Sequence, residues 1–72
     1  MEYVILKNNL KNARENLKIF RTYRKSEDTM LQTLEIYCDS LEIVIDKSIN
    51  HAIMLNSDID LIINHILMKR YN

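Results

Sequence analysis

Cys38, His51 and His65 are the side chains best suited to nucleophilic attack, proton transfer or soft-metal binding near neutral pH. Each of these chemistries needs partners at short range. Two histidines hold a metal from one helix face when they are three or four residues apart, and His51 and His65 are fourteen apart. Adding Cys38, Asp58 or Asp60 produces no recognised zinc spacing. Asp39, Glu42 and Asp46 share one helical face, as a carboxylate metal site would require, but the Glu-x-x-His signature of helical di-metal centres is missing. A solvated acidic face is the expectation. Cys38 falls on an apolar row and reads as a small core residue. A chain without glycine has no Gly-rich phosphate loop. No enzyme, metal or cofactor is expected.

The basic residues of the first third follow a stricter rhythm. Lys7, Lys11, Arg14, Lys18, Arg21 and Lys25 alternate spacings of four and three, which places them on one stripe of an α-helix. Lys11, Arg14, Lys18, Arg24 and Lys25 could track the phosphates of a nucleic acid or face an acidic protein, and Asn8, Asn9, Asn12 and Asn16 lie beside them. Against a nucleic acid stands the charge balance. Residues 1–25 carry seven Lys/Arg and two acids, a net of +5, and residues 26–72 carry three Lys/Arg and eight acids, a net of −5. A chain so divided either pairs with itself or presents two oppositely charged faces.

What elements position these residues? With no glycine and no proline, the turn-rich strand folds are disfavoured and a few long helices are favoured. Seventy-two residues make one domain, 1–72, near the size where a single core barely suffices. No apolar run approaches the ~18 residues of a membrane span. The opening MEYVILKNN lacks the basic region and cleavage site of a signal peptide. A lone cysteine closes no internal disulfide, which suits a reducing cytoplasm.

Tyr3, Leu6, Leu10, Ala13, Leu17 and Phe20 fall on the a and d positions of a heptad frame. Leu31, Leu34, Cys38, Leu41, Ile45, Ser48, Ala52 and Leu55 continue it in phase. Only Arg24 and Glu27 violate the frame. Ser26 is a good N-cap between them, so a turn is expected near residues 24–26. A second break is expected at Asn56-Ser57, with Asp58 and Asp60 in the turn that follows. The predicted architecture is all-α: an antiparallel hairpin of about 3–23 and 27–55, plus a short third helix of about 58–70. Lys7 would then face Glu42, Arg14 would face Glu35 and Arg21 would face Asp28, with a slip of one heptad as a competing register. A continuous helix from 3 to 55, dimerising as a coiled coil, is the rival architecture.

A third helix of ~13 residues spans ~20 Å and reaches back only to about residue 43. It would leave Ile19, Tyr23, Met30, Ile36 and Tyr37 uncovered at the hairpin tip. Such a cluster has the composition of an interface, so a protein partner and a homodimer through this tip are expected.

The stretch VIDKSINHAIMLNSDIDLIINHILMKRYN, residues 44–72, resembles a segment of the ArpU/RinA-type phage transcriptional regulators. Those have a helix, a short Leu-Asn/Asp/Ser break, and a helix ending in a basic residue and an aromatic, as in Met68-Lys69-Arg70-Tyr71. Their segment leads into a sigma-factor-like helix-turn-helix, which has no counterpart in these residues. The resemblance implies a phage or mobile-element origin. Compact helical proteins of such origin include small inhibitors and regulators of host machinery, anti-CRISPR proteins among them. The expected function is a non-enzymatic cytoplasmic regulator or inhibitor that binds a host macromolecule. The alternative is a transcriptional regulator binding nucleic acid through helix 1.

Overall fold

The computed structural model describes residues 2–23 and 28–69. They form three helices: α1 Glu2–Tyr23, α2 Thr29–Val44 and α3 Ile49–Lys69. Successive helices run antiparallel, every pair is in contact, and the bundle measures 36 × 18 × 16 Å. Its long axis is about the length of α1 itself at ~1.5 Å per residue. The chain is an all-α three-helix bundle, and the continuous helix from 3 to 55 is not formed.

The core buries the heptad frame from Leu6 onward, with Tyr3 at its start exposed and Ser48 and Leu55 partly buried. Leu6, Leu10, Ala13, Leu17 and Phe20 of α1 meet Leu31, Leu34, Cys38 and Leu41 of α2 and Ala52, Ile59 and Ile66 of α3 in one apolar cluster. Small Ala13, Cys38 and Ala52 lie among large leucines and isoleucines, which lets three helices approach closely.

The cap of α2 and the second turn differ from expectation. Asp28 caps α2 with its extended backbone and its side chain; the carboxylate accepts the Met30 N–H at 2.9 Å. The expected cap Ser26 lies outside the described residues, as do Arg24, Lys25 and Glu27. The second turn is at Ile45–Ser48, not at Asn56-Ser57. Lys47 and Ser48 both donate their N–H groups to the Val44 carbonyl, each at 2.8 Å. Ser48 then caps α3, its Oγ accepting from the His51 N–H at 3.3 Å.

No described residue has positive φ, so the turn at Ile45–Ser48 is made without the left-handed conformation expected of Asn56. Ile45 closes α2 in the right-handed region, φ −58 and ψ −31. The row Ala52, Leu55, Ile59, Ile62, Ile66 keeps the heptad phase, so nothing apolar is gained by breaking the helix at residue 56. Ser57, Asp58 and Asp60 stay on the exposed side of α3, where a capping motif has no helix end to cap.

Candidate interaction surface

The register of α1 against α2 decides which charges are free. Arg14 donates to Asp39 at 3.1 Å and to Glu42 at 2.5 Å, and Arg21 donates to Glu35. Each arginine therefore meets the acid one heptad beyond the one the e-position pairing had given it. The direction of helical side chains explains the slip. Tyr23 and Thr29 flank the turn, so Arg14 is level with Cys38. Helical side chains lean toward their own N-terminus. In an antiparallel pair, Arg14 leans away from the turn and an acid on α2 leans toward it. They converge when the acid lies beyond Cys38, as Asp39 and Glu42 do, and diverge when it lies before, as Glu35 does. Asp28 is engaged as the α2 cap and Lys7 has moved to the Tyr3 ring, 5.3 Å from its centroid.

The same arrangement sets two proton affinities. Partial burial works against the Arg14 charge, but the hydrogen bonds to Glu42 and Asp39 outweigh it and hold the guanidinium above its ordinary value. Burial pushes the Cys38 thiol up; Arg14 offsets this in part, whereas Asp39 and Glu35 add to it. Cys38 has no exposed surface and is a core residue in the protonated form at neutral pH. His51 and His65 are both exposed, and no group of three potential metal ligands occurs among the described residues.

Along the outer side of α1, a shallow depression of about 380 Å³ is lined by Lys7, Leu10, Lys11, Arg14, Glu15 and Lys18. Lys11 and Lys18 are exposed on it, and Arg14 is turned to the acids of α2. Of the five basic residues singled out in the sequence, Lys11 and Lys18 line this open depression, Arg14 is paired with acids, and Arg24 and Lys25 lie outside the described residues.

The five apolar tip residues divide. α3 is 21 residues long, and its full length reverses the premise that it is too short to cover the tip. Met30 and Tyr37 are half-buried against the core. Ile19, Tyr23 and Ile36 remain exposed. Tyr23 lies about 200° around α1 from Arg21, on the flank turned away from α2, so it does not share a face with Ile36.

One exposed apolar row went unread in the sequence. Ile36 and Ile43 recur at seven residues on the outside of α2, beyond the seam as their spacing implies, and the unread row is Met54, Leu61 and Met68 on the outside of α3. The seven-residue spacing was available, but splitting residues 49–69 between two helices put Met54 and Leu61 in different elements. No described helix is long and apolar enough to cross a membrane. Comparison with family models, with curated proteins and with solved structures found no match to this chain.

Proposed function

We propose that this chain is a non-enzymatic regulator or inhibitor that acts by binding another macromolecule, a protein first of all. The observation that carries this reading is the apolar surface. Among the described residues thirteen large apolar side chains are exposed, as many as there are buried residues in the core. A domain this small gains stability by covering such surface, and helical rows such as Ile36 and Ile43 fit the groove or helix of a partner protein. The resemblance of residues 44–72 to the ArpU/RinA-type segment supports a phage or mobile-element setting and a cytoplasmic host target. It rests on residue types, because α3 runs unbroken through the expected Leu-Asn-Ser break.

A second reading has its own observation. Lys7, Lys11 and Lys18 surround an open depression and no acid is paired with them in the structure, so the outer side of α1 suits the phosphates of a nucleic acid. Affinity capture from a host extract, with the bound protein identified and its binding reconstituted from pure components, separates the two. The protein reading expects Ile36→Glu with Ile43→Glu to abolish reconstituted binding, and Lys11→Glu with Lys18→Glu to leave it largely intact at moderate salt. Binding to random duplex DNA that falls steeply between about 50 and 200 mM salt, and disappears in the lysine variant alone, would establish the nucleic-acid reading instead.

A further inference from the structure

The outer row of α3 has a symmetry that the other exposed rows lack. Met54, Leu61 and Met68 retain 65%, 65% and 76% of their surface, and they lie opposite the buried row Ala52, Ile59 and Ile66. Read backwards through Leu61, the row is unchanged: Met, Leu, Met at seven-residue steps. An antiparallel copy of α3 with its two-fold axis at Leu61 therefore presents the same row to itself. Met54 meets the partner's Met68, and Leu61 meets the partner's Leu61. A two-fold contact must be self-complementary in this way, because each contact occurs twice.

The charges beside the row fit the same axis. Asp58 and His65 sit on one flank of α3, about three residues before and four residues after Leu61. Reversal brings Asp58 beside the partner's His65, where an imidazole N–H reaches a carboxylate, and symmetry makes that contact twice. Asp60 lies on the other flank, about 100° around α3 from Leu61, and is directed out of the seam rather than across it. The contact would cover on the order of 1,000 Å² in all, at the low end for specific interfaces.

We infer that the chain forms an antiparallel homodimer through the Met54–Leu61–Met68 face of α3. The helices touch in the manner of a short coiled coil, with the Asp58–His65 contacts fixing direction. This self-association is separate from the foreign partner of the preceding reading, which is assigned to α2, and either can fail alone.

Sedimentation equilibrium over roughly 5–500 µM tests it, with wild type moving from 8.6 kDa toward twice that mass. Leu61→Glu is expected to raise the dimer dissociation constant at least tenfold with an unchanged helical circular dichroism spectrum, since the position is exposed in the monomer. Ile36→Glu should leave it unchanged. Under mild oxidation Leu61→Cys is expected to cross-link to itself, and Met54→Cys to cross-link with Met68→Cys in a mixture far faster than with itself. A clean monomer at the highest concentration overturns the inference. So does a dimer that survives Leu61→Glu, or a Met54→Cys chain that cross-links with itself as readily as Leu61→Cys does.

Discussion

Arg14 shows how much a single side chain's direction matters. The rhythm of charges identified the right residue and the right helix to receive it, but spacing alone is indifferent to which way a side chain leans. Lean decides between Glu35 and Glu42. A double-mutant cycle between Arg14 and Glu42 is expected to give a coupling of a few tenths to ~1 kcal/mol, the range for pairs this exposed. The cycle between Arg14 and Glu35 should give none. Cys38 supplies a second residue-scale prediction. Its thiol is held protonated by burial in the folded chain, whereas in the unfolded chain it ionises near ~8.5. Above that pH the unfolded state binds fewer protons than the folded one, so stability falls as pH rises. The contribution is intact below pH ~8.5 and is lost on approach to the raised folded value. Urea denaturation at pH 7.5 and 9.5 should show this loss, and Cys38→Ala should have a shallower pH dependence than wild type.

At the scale of elements, the apolar frame and the helix ends carry different information. The frame is written in large residues and was legible from Leu6 through Leu41, and those are the residues the bundle buries. It also keeps its phase across the turn at Ile45–Ser48, so periodicity could not locate that turn. Only the cap could, and Ser48 and Ser57 are both serines followed by plausible first turns. What separates them is which one leaves a helix end to satisfy. Ser48→Ala is therefore expected to destabilise by ~1 kcal/mol through loss of the bond to the His51 N–H. Ser57→Ala, in mid-helix and exposed, should be neutral or stabilising by up to ~0.5 kcal/mol, because alanine is the better helix former. Thermal unfolding of the two variants distinguishes the turns directly, and equal losses would return the break to Asn56-Ser57. The outer row of α3, Met54, Leu61 and Met68, was lost to sequence reading for the same reason, since a row cannot be read across a boundary that has been misplaced.

For the molecule as a whole, three helices share one core and none can be weakened alone. Leu34 has no exposed surface and Ile59 almost none, although they belong to different helices. Leu34→Ala and Ile59→Ala should each cost ~2–5 kcal/mol. For a domain of this size that is most of the stability available, so both variants should be largely unfolded at 37 °C. Circular dichroism should show all three helices melting together in either variant. Retention of about two thirds of the helical signal would mean that a hairpin stands without the third helix.

The turns bear on time as well as on shape. Ile45 keeps a right-handed backbone while the chain reverses, and the sequence has no proline whose peptide bond must isomerise. Two of the three helix contacts join helices adjacent along the chain, and the third, α1 with α3, closes over only one intervening helix, so the search is short. Refolding from urea should follow a single exponential, completed in milliseconds or less, with no phase lasting tens of seconds. Such a chain is ready almost as soon as it leaves the ribosome.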